Sequence, residues 1–192
     1  MPPPVSPAPA THLVVMGVSG SGKTSVAAHL AALLGWPAAE ADDFHPPANI
    51  AKMAAGIPLD DADRLPWLET LRDWMDRHVG TSSGTVVTCS ALKKSYRDLL
   101  NQATGVVRFL HVQVDPDLLA RRLEARTGHF MPGTLLASQL ATLEPLGPDE
   151  DGITLVNDTT PADLAHRAVA ALDLAFAATT ASSAPQPRPE NP

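Results

Sequence analysis

Apolar residues recur along the chain with two spacings. Short continuous apolar or β-branched runs are typical of buried strands, whereas apolar residues three or four positions apart are typical of one helix face. Five segments fit the strand pattern: 12–16, 37–41, 85–89, 106–114 and 153–156. Helical spacing is found between them, over 24–34, 49–55, 66–79, 117–126, 134–143 and 161–176. The chain therefore alternates strands with helices.

This alternation predicts a parallel sheet, because parallel neighbours need long crossover connections whose helices cover the sheet. We expect an α/β fold of three layers, α/β/α, with a five-stranded parallel sheet. The stretches 47–79 and 121–145 suggest a helical substrate-binding insertion and a lid. The tails 1–11 and 179–192 are rich in Pro, Ala and polar residues without apolar periodicity, so we expect them to be disordered around a single domain, 12–178.

A phosphate-binding motif joins the first predicted strand to the first predicted helix. It matches G-x-x-x-x-G-K-[ST] at every fixed position: Gly17, Val18, Ser19, Gly20, Ser21, Gly22, Lys23 and Thr24. Glycines allow backbone N–H groups to turn inward around an anion, and the following helix directs its positive end at that anion. The motif predicts ATP binding, with Lys23 on the β and γ oxygens and the Thr24 hydroxyl on Mg²⁺.

Composition limits the cellular compartment and the kinds of partner that we expect for this chain. The chain has 192 residues, 44% of them hydrophobic, which suits one domain with a core. Fourteen basic and 21 acidic residues give a net charge of −7 without a long basic run, so we expect neither nucleic acid nor a membrane as partner. Cys89 is the single cysteine, and 1–10 lack the features of a signal peptide. We expect a reducing compartment, the cytoplasm.

Several further motifs, taken together, resemble one kinase family. They are Asp42-Asp43-Phe44-His45-Pro46, Asp60-Asp61-Ala62-Asp63-Arg64-Leu65-Pro66-Trp67-Leu68, Cys89-Ser90-Ala91-Leu92-Lys93-Lys94-Ser95-Tyr96-Arg97-Asp98 and Gly128-His129-Phe130. With the phosphate loop, they resemble the gluconokinases of the small P-loop type, which are related to shikimate and nucleoside-monophosphate kinases. The resemblance covers nearly all of 12–176. It implies a P-loop kinase fold and ATP-dependent phosphorylation of D-gluconate at its terminal hydroxyl, and it is compatible with a homodimer.

The resemblance also suggests roles for individual residues. A polyhydroxy carboxylate needs cations and polar groups, and arginine is well suited to bidentate capture of a carboxylate. The substrate-binding candidates are Asp42, His45, Lys52, Arg64, Lys93, Arg97 and His129. For catalysis we expect Lys23, Arg126 from the lid and Asp42, the last as base or orienter of the attacking hydroxyl.

Two other functions are compatible with a phosphate loop. One is another small-molecule kinase such as a shikimate kinase, although the segment Thr88-Cys89-Ser90-Ala91-Leu92 differs from the glycine-rich run of that family. The other is an ATP-binding switch that transfers no phosphate to a metabolite. Dependence of ADP release on an acceptor distinguishes a metabolite kinase from a switch.

Overall fold

The computed structural model describes residues 9–119 and 133–175. Its strands are β1 Thr11–Met16, β2 Ala38–Glu40, β3 Gly84–Thr88, β4 Val106–Gln113 and β5 Gly152–Val156. They form one sheet in the order β2-β3-β1-β4-β5, and every neighbouring pair is parallel. The expected five-stranded parallel sheet is confirmed.

Helices cover both faces of this sheet. They are α1 Lys23–Leu34, a 3₁₀ helix Ala41–Phe44, α2 Pro47–Ala54, α3 Asp61–Asp76, α4 Lys94–Leu100, α5 Gly133–Thr142 and α6 Pro161–Ala171. Residues of α1 and α6 share a core cluster with Leu13 and Val15, whereas α3 and α4 share another with Val14 and Met16. Because successive strand residues point to opposite faces, the clusters lie on opposite sides of the sheet. The three-layer arrangement is confirmed.

Helix α3 begins at Asp61 and not, as expected, at Pro66. The Asp60 carboxylate accepts the backbone N–H of Asp63 at 2.9 Å, and the Asp63 carboxylate accepts that of Asp60 at 3.0 Å. This reciprocal capping box starts the helix before the proline, so Pro66 lies inside it. Val79, the last residue of the expected helix 66–79, lies beyond the observed helix end and is 37% exposed.

Helix α6 ends at Ala171, short of the expected end at Phe176. The chain turns at Asp173, whose φ of 49° is left-handed. The N–H of Leu174 donates to the Val169 carbonyl at 3.0 Å, and that of Asp173 to the Ala170 carbonyl at 3.3 Å. This is the Schellman pattern, which ends a helix by satisfying its last carbonyl groups. Among the described residues, no helix combines the length and apolarity needed to cross a membrane.

The carboxyl ends of three strands lie side by side. Thr88 at the end of β3 pairs with Val15 of β1 on one side and with Glu40 of β2 on the other. The segments that follow these strands therefore meet at one edge of the sheet, where open α/β sheets bind their ligands. The phosphate loop 17–24 follows β1, the 3₁₀ helix follows β2, and residues 89–93 follow β3.

A buried histidine occupies the opposite end of β1. His12 has no exposed surface; its Nδ1 lies 2.8 Å from Thr85 Oγ1 and its Nε2 lies 3.0 Å from the Thr104 carbonyl oxygen. Burial lowers its pKa, against the opposing effect of the hydrogen bond to Thr104. Burial also lowers the pKa values of His45 and His111. The folded protein thus favours neutral imidazoles at these three positions.

We expect the free energy of unfolding to fall as the pH drops from about 7.5 to about 5.5, because protons then bind the unfolded histidines preferentially. This stabilisation is fully present above the unfolded pKa of about 6.5 and is lost as the pH approaches the lower folded values. Urea denaturation across this range measures it. The His12→Asn variant should show a weaker pH dependence, whereas His29→Asn, at an exposed position of α1, should match the wild type. Identical pH profiles for His12→Asn and the wild type would contradict the account.

Candidate active site

The phosphate loop requires glycine at two positions for steric reasons. Gly17 has a φ of 140°, and a Cβ there would lie 2.8 Å from the Val112 carbonyl oxygen. Gly22 has a φ of 96°, and a Cβ there would lie 2.7 Å from Asn157 Nδ2. That same amide donates to the Ser21 carbonyl oxygen at 2.8 Å. Asn157 is thus placed where it supports the loop.

Two polar side chains of this loop suit a nucleotide phosphate. Lys23 begins α1, and its Nζ donates to the Val18 carbonyl oxygen at 3.0 Å, so the ammonium lies across the loop. Ser21 Oγ is buried and has no hydrogen-bond partner among the described residues. These groups, with the helix N-terminus, fit an anion held by the loop.

Glu40 was not among the site residues expected from sequence. Its Oε2 accepts hydrogen bonds from Thr24 Oγ1 at 3.2 Å and from Thr88 Oγ1 at 2.5 Å. The carboxylate therefore joins the predicted metal-binding hydroxyl to the end of β3. Its position as the last residue of β2, at the carboxyl edge of the sheet, is the signal that could have identified it.

The 3₁₀ helix after β2 carries Asp42 and is held by a tryptophan. Trp67 Nε1 donates to the Ala41 carbonyl oxygen at 2.6 Å, and the Trp67 ring stacks on His45 with centroids 4.2 Å apart. Asn49 Nδ2 lies 3.4 Å from His45 Nδ1, and His45 Nε2 lies 3.9 Å from Asp42 Oδ1. The Asp42 side chain itself is 90% exposed. A rigid, buried imidazole therefore lies beside an accessible carboxylate.

The environment of His45 determines its charge. Burial lowers the pKa of His45, the Asp42 carboxylate opposes this and the Arg64 guanidinium adds to it. Near neutral pH the ring is therefore neutral. The contact with Asn49 suits an unprotonated Nδ1, which leaves a proton on Nε2 facing Asp42. His45 can then donate a hydrogen bond towards the cavity while it adds no charge.

A second group of charged residues lies between α3 and α4. Lys93 Nζ donates to both carboxylate oxygens of Asp61, at 2.7 and 3.0 Å, and the Tyr96 hydroxyl donates to the same carboxylate. These hydrogen bonds, that of Lys93 first, lower the pKa of Asp61. The Arg64 guanidinium carbon lies 5.6 Å from the centre of the Tyr96 ring, and Arg64 Nε donates to the Leu59 carbonyl oxygen at 3.2 Å.

These two groups line two adjoining cavities, each of about 460 Å³. The first, termed the phosphate cavity, is lined by loop residues and by Glu40, Asp42, His45, Thr88, Cys89 and Ser90. The second, termed the acceptor cavity, is lined by residues that include Asp61, Lys93, Tyr96 and Ser138. Leu59, Arg64 and Gln139 line both. The structure thus brings Lys23, Thr24, Asp42, His45, Arg64 and Lys93 together.

Arg97 is placed away from these cavities. It is 1% exposed, and its Nη2 donates to Glu150 Oε2 at 2.9 Å, while Nε donates to the other carboxylate oxygen. Its remaining N–H groups donate to the carbonyl oxygens of Ala91, Glu144 and Pro145. A substrate contact, as expected from sequence, would have to break this buried network. The placement favours a structural role.

Lys52 also lies outside the described lining of both cavities. Its Nζ donates to the two carboxylate oxygens of Asp63 at 2.6 and 2.7 Å, and its side chain is 40% exposed. This ion pair joins α2 to the first turn of α3 and so stabilises the predicted insertion 47–79. The predicted contact of Lys52 with the substrate therefore has no geometric support. Arg126 and His129, predicted for the lid, lie outside the described residues.

The comparisons with known proteins agree on one family, although no protein-family model matches the chain. The gluconokinase of Gluconobacter oxydans (strain 621H) is 52% identical over 149 residues, which cover 78% of this chain and 84% of the relative.

The chain belongs to the gluconokinase family.

Solved structures agree with this membership. An unliganded sugar kinase from Janibacter sp. HTCC2649 is 51% identical with a TM-score of 0.80, over 87% of this chain and 96% of that one. A gluconokinase from Sinorhizobium meliloti 1021 is 41% identical with a TM-score of 0.75, over 88% and 94%. The shikimate kinase of Aquifex aeolicus is 13% identical with a TM-score of 0.52, over 84% and 96%, and shares the fold alone. The expected P-loop kinase fold is confirmed.

Proposed function

We propose that this gluconokinase-family protein transfers the γ-phosphoryl group of ATP to the terminal hydroxyl of D-gluconate, which yields 6-phospho-D-gluconate. The observation that carries the proposal is the 52% identity to the Gluconobacter oxydans gluconokinase over 84% of that relative. The two adjoining cavities support it, because one suits phosphates and the other suits a polyhydroxy carboxylate.

The phosphate cavity is the proposed nucleotide end. The loop N–H groups and the N-terminus of α1 hold the phosphates, and Lys23 neutralises charge on the β and γ oxygens. Thr24 would hold Mg²⁺ through its hydroxyl, which Glu40 orients from 3.2 Å. Bound Mg²⁺ would offset charge on the phosphate oxygens. No group of three or more acidic, His or Cys side chains suits a metal within the described ranges, in keeping with an ion that completes its shell with phosphates and water.

The acceptor cavity gives the proposed orientation of gluconate. Arg64 and Lys93 line it and can bind the carboxylate, while Asp61 and Tyr96 hold Lys93 in place. With the carboxylate there, the chain of hydroxyls extends past Arg64 into the phosphate cavity. The terminal hydroxyl then faces Lys23 and Asp42.

Asp42 is the proposed acceptor of the hydroxyl proton. Its carboxylate is exposed to the cavity, and Trp67 fixes the turn from which it projects. The neutral His45 presents its Nε2 proton next to that carboxylate, where it can also bind the substrate hydroxyl. Because phosphoryl transfer passes through a loose transition state, proton removal is a smaller contribution than alignment and charge neutralisation.

We expect Asp42→Asn to lower kcat by about 10²-fold, within the range for a single proton acceptor. Steady-state ADP release with gluconate measures it. The matched control is Asp117→Asn, which removes the same charge from an exposed position outside the lining of both cavities and should change kcat by less than about 3-fold. Near-wild-type turnover in a folded Asp42→Asn variant would reject the assigned role.

The site of phosphorylation tests the proposed function and the orientation together. Phosphorus–proton correlation NMR of the product from ATP and D-gluconate should show phosphorus coupled to the two protons of the terminal carbon. Coupling to a single carbinol proton would show that the hydroxyl chain lies differently in the acceptor cavity, and the absence of any sugar phosphate would reject the proposal.

The compartment and the assembly are further proposals. The single cysteine, Cys89, is buried and free, and burial raises the pKa of its thiol to about 12, which agrees with packing and not with reactivity. A chain with no disulfide framework fits the cytoplasm. The homodimer stays a prediction, which sedimentation equilibrium can test.

A further inference from the structure

A glutamine of α5 contacts the phosphate loop directly. The backbone N–H of Ser19 donates to Gln139 Oε1 at 2.7 Å, across 120 positions of sequence. Ser19 lies in the middle of the phosphate loop 17–24, whose N–H groups are the expected ligands of nucleotide phosphate. The neutral amide oxygen of Gln139 thus accepts a hydrogen bond from an N–H group that could otherwise bind a phosphate oxygen.

The position of α5 is fixed by neighbouring contacts. Leu136 and Leu143 pack against a buried cluster that contains Val18 of the phosphate loop and Leu92 of the segment after β3. The N–H of Glu144 donates to the Leu92 carbonyl oxygen at 2.7 Å. The helix is therefore supported on the loop itself, and Gln139 reaches Ser19 from a defined place.

Gln139 also lines both cavities. Its side-chain amide offers one acceptor oxygen and two donor hydrogens, which suit a sugar-acid hydroxyl as well as a backbone N–H. It is one of only three residues, with Leu59 and Arg64, that line both cavities in the described parts of the chain. The Gln139 side chain is bonded to the phosphate loop, whereas that of Arg64 is bonded to the Leu59 carbonyl oxygen.

We propose that Gln139 exchanges partners during the reaction and thereby couples the two substrates. Without nucleotide, its amide oxygen holds the Ser19 N–H. Nucleotide phosphate takes over that N–H, and the released amide then hydrogen-bonds a hydroxyl of the acceptor. The acceptor half of this inference rests on the proposed function, whereas the Ser19 exchange does not.

The exchange predicts opposite effects on the two substrates. Because Gln139 competes with phosphate for one donor, its removal should tighten nucleotide binding in the absence of acceptor. Because it then binds the acceptor, its removal should weaken acceptor binding once nucleotide is bound. A role limited to packing of α5 predicts no gain in nucleotide affinity.

Two variants of similar size separate these effects. Gln139→Met removes the amide and keeps length and helix propensity. Gln139→Glu places a carboxylate on the Ser19 N–H, which strengthens that contact and repels phosphate. Leu140→Ala, at an exposed position one residue further along α5, is the control. The probes are a non-hydrolysable ATP analogue with Mg²⁺, and D-gluconate, by calorimetry with the full chain.

We expect Gln139→Met to lower the Kd of the analogue by about 2- to 10-fold, the net value of one neutral hydrogen bond. Gln139→Glu should raise it by more than about 10-fold, since hydrogen bonds to charged groups are stronger. In the wild type the analogue should lower the Kd of gluconate by about 2- to 10-fold, and in Gln139→Met this coupling should disappear. Leu140→Ala should match the wild type in both measurements.

The possible failures are distinguishable. Unchanged or weaker binding of the analogue to Gln139→Met overturns the exchange at Ser19, even where the wild type phosphorylates gluconate. Equal coupling in wild type and Gln139→Met overturns the acceptor contact. If the wild type binds the analogue but neither binds nor phosphorylates gluconate, the proposed function and the acceptor contact are both rejected. The Ser19 exchange is then decided by the analogue measurements alone.

Discussion

Replacement of Lys23 by methionine should lower kcat by about 10³-fold, about 4 kcal/mol of transition-state stabilisation. Lys23 is the first residue of α1, and its ammonium lies across the phosphate loop, 3.0 Å from the Val18 carbonyl oxygen. The transferring phosphoryl group spreads negative charge over its oxygens, and a fixed cation there stabilises it more than it stabilises bound ATP. Methionine keeps most of the length of the side chain and removes the ammonium group.

The measurement on Lys23→Met requires a control variant at an exposed lysine. Lys94→Met removes a cation that pairs with Asp98 on the surface of α4, and it should leave kcat within about 2-fold. Steady-state ADP release gives kcat and KM, and far-UV circular dichroism checks the fold. A Lys23→Met variant with normal kcat and a raised KM for ATP would show that Lys23 binds the ground state and the transition state equally well, contrary to the proposed role.

Replacement of Arg97 by leucine should lower the free energy of unfolding by about 3–5 kcal/mol, the usual cost of removing one partner from a buried ion pair. Leucine would leave the Glu150 carboxylate buried without its cation. The carbonyl oxygens of Ala91, Glu144 and Pro145 would also lose a donor. These contacts fix the chain just after α5, so the substitution should loosen the helix that carries Gln139.

Two further variants separate the buried pair from general effects of arginine. The double variant Arg97→Leu with Glu150→Leu should recover part of the loss, because no isolated charge remains. Arg167→Leu breaks an exposed pair with Asp158 and should cost less than about 1 kcal/mol. Urea denaturation measures all three. A loss for Arg97→Leu no larger than that for Arg167→Leu would contradict the structural role of Arg97.

Much of the fold could be predicted from local pattern. Apolar runs predicted the five strands, and the phosphate-loop motif predicted the link from β1 to α1. Both kinds of signal depend on residues that are close together in sequence. Helix ends were less predictable. The capping box of Asp60 with Asp63 and the left-handed Asp173 shifted two of them, although each is a local feature.

The candidate site was predictable only in part. Asp42, His45, Arg64 and Lys93 could be chosen because they lie in motifs that resemble those of the gluconokinases and have side chains that suit a polyhydroxy carboxylate. Arg97 belongs to the same segment as Lys93, yet its partners Glu144, Pro145 and Glu150 lie 47 to 53 positions away and are invisible to local pattern. Glu40 and Gln139 reach the phosphate loop only through the folded chain, across 16 and 120 positions.

The most direct test of the proposed function is ADP release by the purified protein with ATP and Mg²⁺, measured with D-gluconate, shikimate, D-glycerate, nucleoside monophosphates or no acceptor. We expect rapid release with D-gluconate alone, and its loss in Lys23→Met. Slow release that is indifferent to every acceptor would contradict the assignment and would instead indicate an ATP-binding switch on the same fold.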